Sequence, residues 1–253
     1  MTSSSASPPS CLPRFSTPRT DRPTLGGAAA RIADLLSTPL MPWQRQVVDT
    51  ALEVDPDTGL LVYRNVVVTV PRQAGKTTLL LAVMVWRALH EPGARIVYTA
   101  QDGQAARKKW RDDQVPALDR SSLRGMYDVR YSNGDESIRW RNGSLHEVIS
   151  PTDRAGHGRQ IDLAVVDEAF EFKDHRLDQG FSPAMITRPQ PQMWIISTAG
   201  HASFPSRPVI LLQTYKPLTL VPETDRPVIN HSFHLWVSWQ RLNWPVTPRS
   251  TQS

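Results

Sequence analysis

Lys76 lies in a short loop whose residue types suit phosphate binding. Gly75 lets the backbone approach an anion closely, the Lys76 ammonium suits the β- and γ-phosphates of a nucleotide, and the Thr77 hydroxyl can ligate Mg²⁺. Val70 stands where the usual G-x-x-x-x-G-K-[ST] pattern has its first glycine, so a plain surface loop is the alternative. The candidate nucleotide-binding loop consists of Pro71, Arg72, Gln73, Ala74, Gly75, Lys76, Thr77 and Thr78.

The elements on either side of this loop supply the context that the motif needs. Val66–Val70 is a β-branched run of strand length, and Pro71 cannot donate to a sheet ladder, so the strand is expected to end there. A nearly all-apolar helix is predicted over 77–89, and its N-terminal amides would face the anion. The order strand, loop and buried helix therefore favours a phosphate-binding loop over a surface loop.

Asp167 and Glu168 follow the apolar run 163–166, which predicts a buried strand with two acids at its carboxyl end. Asp167 is expected to hold Mg²⁺ through water. Glu168 is expected to orient and polarise the attacking water, because in-line attack on a γ-phosphate depends mainly on positioning. The alternative is an ordinary strand that ends in a polar turn.

Residues 193–198 predict one more strand with small hydroxyl residues at its end. There they would lie beside the γ-phosphate and couple its hydrolysis to movement; a strand end before a turn is the alternative. The candidate coupling residues are Ser197, Thr198, Ala199 and Gly200.

Two helices are predicted before the first strand, over 28–36 and from Pro42 to Leu52, with Pro42 in a first turn. The Gln44 amide can pair a donor and an acceptor with the adenine edge, although a helix-surface glutamine is the simpler interpretation. Trp43 suits a core anchor, which is compatible with lining a base pocket.

The rest of the pattern predicts an α/β fold with a mainly parallel central sheet flanked by helices and an antiparallel hairpin insert. Residues 60–64 and 66–70 are predicted to form a hairpin or strand pair. The strand at 95–100 is predicted to complete a βαβ unit with a parallel pair. The insert is predicted at 127–131, 137–140 and 144–149, with hairpin signals at Asn133-Gly134 and Asn142-Gly143.

Two basic segments have alternative interpretations. Residues 105–111 are either a nucleic-acid face or a solvated helix balanced by Asp112 and Asp113. The loop at 154–160, which begins at Arg154, is either a flexible connector or a mobile loop that delivers positive charge to a transition state.

Length and composition set broad bounds. A chain of 253 residues with 40% hydrophobic content can bury one large core or two small ones, and a net charge of +5 weakly favours a phosphate-bearing partner. The single cysteine, Cys11, fits a reducing cytosol, and no apolar run is long enough for a membrane span. We expect a soluble protein with a disordered tail at 1–22 and a divergent Pro-rich tail at 201–253.

The combined motifs resemble the ATPase domain of the tailed-phage terminase large subunit, over about residues 23–200. The resemblance is carried by Pro42-Trp43-Gln44, the Arg-Gln form of the loop at 71–77, Val165–Ala169 and Ser197–Gly200. It implies a RecA-like P-loop fold that uses MgATP to drive double-stranded DNA into a capsid in the bacterial cytoplasm. It also implies a homo-oligomeric ring, a portal and a small terminase subunit as partners. By the same resemblance, Gln44 belongs to an adenine motif and Arg72 contacts the γ-phosphate in cis.

The sequence departs from that family after Gly200. Family members continue into a nuclease domain in which several acids bind two metals, whereas Glu223 and Asp225 are the only carboxylates of 201–253. We therefore expect no terminase-type cleavage, and a truncated or frameshifted prophage gene is one hypothesis for the change. His231 and His234 have metal-ligand spacing, but no acidic or cysteine partner stands near them. A helicase-like translocase and a remnant that binds nucleotide or DNA without turnover stay open as alternatives.

Overall fold

The computed structural model describes residues 13, 15–151, 158–168, 176–198 and 234–238. Its central feature is a nine-stranded sheet with the strand order β1-β9-β2-β8-β7-β3-β6-β5-β4. The six neighbouring strands from β9 to β6 all run parallel, while β1, β5 and β4 pair antiparallel at the two edges. The predicted α/β class with a mainly parallel sheet is therefore confirmed.

The strands and helices have the following bounds. The strands are β1 Phe15–Ser16, β2 Asn65–Val70, β3 Arg95–Thr99, β4 Tyr127–Arg130, β5 Ser137–Trp140, β6 Leu145–Val148, β7 Leu163–Asp167, β8 Gln192–Thr198 and β9 His234–Ser238. The helices are α1 Gly26–Leu35, α2 Pro42–Ala51, α3 Lys76–His90, α4 Gly103–Lys109, α5 Val115–Asp119 and α6 Arg176–Met185. A π-helical turn, Trp110–Gln114, joins α4 to α5.

Apolar side chains on both faces of the central strands explain why these strands read as continuous β-branched runs. Successive residues of a strand point to opposite faces, so Val66 and Val68 belong to one core cluster and Val67 to the other. Eight buried side chains of helix α3 belong to the first cluster, and Phe181 of α6 belongs to the second. The sheet is thus covered on both faces, which fixes the positions of its strand ends.

The antiparallel strands were predicted correctly, but their place in the sheet was not obvious from the sequence. β4 pairs with β5 and β5 with β6, and Gly134 and Gly143 adopt φ values of 82° and 87° in the two turns. β6 also pairs in parallel with β3. The three strands therefore extend the main sheet at one edge.

Two predictions of strand pairing were wrong. Residues 60–64 do not pair with β2; Leu61 instead bridges Val54 across the turn at 55–59, and β2 pairs with β8 and β9. The βαβ unit is present as β2, α3 and β3, but β8 and β7 lie between its two strands. Both errors concern contacts between segments far apart in the sequence, which local patterns do not specify.

Parts of both expected tails have defined backbone positions. The Thr20 amide and hydroxyl donate to the Glu53 carboxylate at 2.8 Å and 2.7 Å. Within the Pro-rich segment 201–253, the backbone of β9 pairs in parallel with β2, and β1 pairs with β9. The other residues of 201–253, with Glu223, Asp225 and His231, lie outside the described residues. In the described parts of the chain, no helix combines the length and apolarity needed to cross a lipid bilayer.

Candidate functional site

Three groups from distant parts of the sequence meet where the central parallel strands end, at the carboxyl edge of the sheet. Lys76 Nζ donates to Thr198 Oγ1 at 2.6 Å and lies 3.1 Å from Glu168 Oε1. The Thr198 hydroxyl and amide in turn contact the Glu168 carboxylate at 3.1 Å and 3.3 Å. The parallel register explains this meeting, because β2, β8 and β7 all end at the same edge of the sheet.

The backbone of the phosphate loop is shaped by two residues with positive φ. Gly75 has a φ of 90° and Gln73 a φ of 59°. A Cβ at position 75 would lie 2.5 Å from Met41 Cε and 2.8 Å from Gln44 Nε2, so only glycine fits this conformation and this space. Helix α3 begins directly after Gly75, at Lys76.

Gln44 connects helix α2 to the phosphate loop. Its side-chain Oε1 accepts from the Met41 amide at 2.7 Å, and its Nε2 donates to the Gly75 carbonyl at 2.8 Å. Gln44 is fully buried, so the interpretation as a helix-surface glutamine was wrong. Trp43 is half-buried against the first core cluster, in agreement with the predicted anchor.

Asp167 is a buried carboxylate with one paired and one unpaired oxygen. Its side chain is 1% exposed, and Oδ2 accepts from Lys109 Nζ at 2.7 Å and from the Tyr98 hydroxyl at 3.1 Å. Oδ1 is buried and has no hydrogen-bond partner among the described residues. Burial raises the pKa of Tyr98, and the Asp167 charge raises it further, so Tyr98 stays a neutral donor.

Glu168 is held as a carboxylate by the cations around it. Burial alone would raise the pKa of Glu168, but the charge and hydrogen bond of Lys76, with further contributions from Lys109 and Thr198, outweigh burial and lower it. Glu168 also has a φ of 58°, an uncommon backbone conformation for a glutamate. Strain of this kind is frequent at functional sites.

The remaining candidate residues fall into three groups. Pro71, Ala74, Thr77 and Thr78 are half-buried in the loop and first turn, and Ser197 is buried. Arg72 and Gln73 are exposed, and Arg72 makes no hydrogen bond or ion pair with another described residue. Arg154, Ala199 and Gly200 lie outside the described residues.

The sequence interpretation missed Lys109 and Tyr98. Lys108 pairs with Asp112 on an exposed face, which agrees with a solvated helix at 105–111. Lys109, the next residue, instead contacts Asp167. A basic run followed by two acids carries no signal for one lysine that contacts a strand 58 residues later. The sequence pattern predicted Tyr98 only as a residue of the strand at 95–100.

The groups around Asp167 differ from a metal site that is built from protein ligands alone. No cluster of three or more histidine, cysteine or acidic residues that could hold a metal ion occurs in the described ranges. Mg²⁺ does not require such a cage, because it usually binds through one or two protein oxygens, water and phosphate. The unpaired Oδ1 of Asp167 fits that mode of binding.

Comparisons with solved structures show the same fold in phage large terminases. The large terminase of bacteriophage HK97 matches with a TM-score of 0.58 and 17% identity, over 69% of this chain and 38% of that chain. The large terminase ATPase domain of Thermus phage P74-26 matches with a TM-score of 0.51 and 18% identity, over 68% of this chain and 70% of that chain. This chain therefore spans well under half of the HK97 protein.

Sequence comparison identifies the family. No curated protein sequence matches this chain. A family model described as terminase large subunit, T4likevirus-type, N-terminal, matches residues 67–204, which is more than half of the 253 residues and includes the phosphate loop and both acids. The chain therefore belongs to the terminase large subunit family, and the part that matches is the N-terminal region of the T4likevirus type.

Proposed function

We propose that this chain hydrolyses ATP at the site formed by the phosphate loop, Asp167, Glu168 and Thr198. The observation that carries the proposal is the contact of Lys76 with both Glu168 and Thr198, at 3.1 Å and 2.6 Å. These groups come from three segments of the sequence and meet where parallel sheets bind their ligands. Hydrolysis in such a site depends on positioning and on electrostatic stabilisation of the phosphates.

Each residue has a role in this proposal. The Lys76 ammonium and the first amides of α3 bind the β- and γ-phosphates, since they are the cation and the helix N-terminus of the loop. Asp167 and Thr77 hold Mg²⁺, which neutralises charge on the phosphate oxygens when it is bound. Glu168 orients the attacking water, and its lowered pKa keeps it ionised for that task at neutral pH.

The charged groups of this site neutralise one another. Lys76 is paired with Glu168, so a phosphate that binds Lys76 releases Glu168 from this ion pair. Thr198, the last residue of β8, bonds to both residues, and these bonds support a role in transmitting the change to β8. We propose that Ser197, Thr198, Ala199 and Gly200 couple hydrolysis to movement in this way.

The adenine and arginine roles rest on the family. Gln44 is the candidate reader of the adenine edge, although its amide is engaged by Met41 and Gly75. Arg72 is exposed on the loop and is the candidate γ-phosphate contact in cis. Arg154 is the candidate contact to a neighbouring subunit's ATP.

The biological role that fits best is packaging of double-stranded DNA into a phage capsid. Membership in the terminase large subunit family supports this role, together with a homo-oligomeric ring, a portal and a small terminase subunit as partners in the bacterial cytoplasm. A nucleotide- or DNA-binding protein without turnover is the second candidate. In that candidate the Lys76–Glu168 ion pair persists when nucleotide is bound, so Glu168 does not orient a water molecule.

ATP turnover by the purified chain tests this proposal. We expect wild-type protein to release phosphate from MgATP, with double-stranded DNA increasing the rate, and the Lys76→Ala variant to lose turnover by about a hundredfold or more. Binding of MgATP by the wild type without turnover, with or without DNA, would favour the second candidate. Stronger stimulation by single strands or forks than by duplex DNA would point to a helicase-like translocase.

A further inference from the structure

The Lys109–Asp167 ion pair joins a half-exposed cation to a buried anion. The side chain of Lys109 is 30% exposed and that of Asp167 is 1% exposed, with 2.7 Å between Nζ and Oδ2. A buried carboxylate is strongly disfavoured without a partner of opposite charge. Lys76 contacts Glu168, and Arg72 has no ion pair with a described residue, so Lys109 is the cation that is paired with Asp167 in the described part of the site.

The two oxygens of Asp167 are unequally engaged. Oδ2 accepts from Lys109 and from the neutral Tyr98 hydroxyl, whereas Oδ1 is buried without a described partner. A divalent cation at Oδ1 would lie on the same carboxylate as the Lys109 ammonium. Two cations on one carboxylate repel each other, and the repulsion is strong where water is excluded.

We propose that Lys109 is an internal counter-ion of Asp167 that competes with a divalent cation for this carboxylate. The proposal deepens the ATPase proposal, because the cation would arrive with the nucleotide. Lys109 neutralises Asp167 while the site is empty and weakens the attraction of the site for the cation alone. Loading of the cation–nucleotide complex is then linked to release of the Lys109–Asp167 ion pair.

The backbone next to Lys109 limits how this release can occur. Lys109 ends α4, and the next residue, Trp110, is fully buried in the π-helical turn. The backbone is therefore anchored, and in this proposal the half-exposed lysine side chain leaves Oδ2 by rotation about its own bonds. π-Helical turns of this type are frequent at functional sites.

Lys108 provides a matched control one residue away. Its side chain is 76% exposed and pairs with Asp112, which is 47% exposed and belongs to the solvated face of the helix. Lys108→Met removes the same charge from the same helix without touching Asp167. The two variants therefore separate the contact with Asp167 from the change in net charge.

Thermal unfolding of the full chain tests the proposal. Wild type, Lys109→Met, Lys108→Met and Lys109→Arg are melted in EDTA without nucleotide, and then with excess ADP over a titration of MgCl₂. In EDTA we expect Lys109→Met to melt below Lys108→Met, because Asp167 is left unpaired. In ADP we expect Lys109→Met to reach half of its stabilisation at an Mg²⁺ concentration about fivefold below that of wild type. Lys108→Met and Lys109→Arg are expected to keep the wild-type midpoint.

The proposal is wrong if the Mg²⁺ midpoint of Lys109→Met is unchanged or raised. It is also wrong if Lys108→Met shows an equal shift of the midpoint. If Lys109→Met does not fold, Lys109→Gln, which can still donate to Asp167 without a charge, must show the lowered midpoint. If wild type is not stabilised by MgADP, the ATPase proposal is contradicted, and Mg²⁺ alone is titrated. Lys109→Met must then bind Mg²⁺ more readily than wild type, or the counter-ion proposal also fails.

Discussion

The amino and carboxyl edges of the sheet, where its parallel strands begin and end, each bury an aspartate, and Asp162 and Asp167 differ in how completely they are paired. At the amino edge, both oxygens of Asp162 accept from Arg188, and Oδ2 also accepts from the Arg95 amide at 2.7 Å. At the carboxyl edge, Asp167 has a buried oxygen without a described partner, and Glu168 has a positive φ. The first arrangement satisfies its groups within the fold, while the second leaves bonding capacity for a ligand.

Gln192 shows the same completeness at the amino edge. Its Nε2 donates to the carbonyls of Ala51 and Tyr63 at 2.9 Å and 2.8 Å, and its Oε1 accepts from Trp194 Nε1 at 2.7 Å. A fully satisfied buried network rigidifies the surrounding core. Asp162 and Gln192 thus use their bonding capacity within the fold, whereas Asp167 keeps an unpaired oxygen that a ligand can use.

The largest effect on stability is expected at the amino edge. Asp162→Ala leaves Arg188 and the Arg95 amide without their acceptor, so the free energy of unfolding should fall by about 3 kcal/mol. Urea unfolding measures this change. Asp135→Ala is the matched control, because Asp135 pairs with Arg130 on the solvent-exposed surface. This variant should change the free energy of unfolding by less than about 0.5 kcal/mol. Equal losses in the two variants would show that the buried ion pair of Asp162 stabilises the fold no more than the exposed ion pair of Asp135.

His146, in strand β6, and Glu168, in the candidate site, should affect the free energy of unfolding at different pH values. Burial lowers the pKa of His146 to about 4 from 6.5, so between these values the unfolded chain binds a proton that the native protein does not. Stability is therefore complete above pH 6.5 and falls by about 3 kcal/mol as the pH drops to 4. Glu168, whose pKa is lowered from 4.5, contributes only further down, because its stabilisation is lost as the pH falls through its folded pKa.

His146→Leu tests this assignment in urea unfolding at a series of pH values. The variant should lose most of the pH dependence between 6.5 and 4 and keep the loss below 4.5. An unchanged profile between 6.5 and 4 would show that His146 is not the group responsible.

A smaller effect is expected where helix α2 meets the phosphate loop. Gln44→Ala leaves the Gly75 carbonyl and the Met41 amide without their partners, so it should lower the free energy of unfolding by about 1–2 kcal/mol. Gln46→Ala, on the exposed side of the same helix, is the control and should change stability by less than about 0.5 kcal/mol. A loss in Gln44→Ala no larger than in Gln46→Ala would show that the link to the loop contributes nothing.

The sequence was sufficient for elements whose pattern is local. The β-branched run before Pro71 predicted β2, the apolar run after Gly75 predicted α3, and the asparagine–glycine pairs predicted the two hairpin turns. The acids after residue 166 were correctly placed at the end of a buried strand. In each case a short-range rule of periodicity or turn chemistry carries the information.

Contacts between distant segments could not be predicted in the same way. Leu60–Arg64 has strand-like composition, yet its local pairing is with the segment before the turn and not with β2. The Lys109–Asp167 and Gln44–Gly75 contacts depend on how α4 and α2 pack against the sheet edge. Side-chain types alone suggested a solvated lysine and an exposed glutamine, because burial is decided by tertiary packing.

ATP turnover by Glu168→Gln, measured beside its binding of MgATP, tests the central claim most directly. Glutamine keeps the size of the side chain and removes the charge that orients the water. We expect the variant to bind MgATP as wild type does and to hydrolyse it at least about a hundredfold more slowly. Turnover at the wild-type rate would contradict the assignment of the carboxyl edge as the catalytic site.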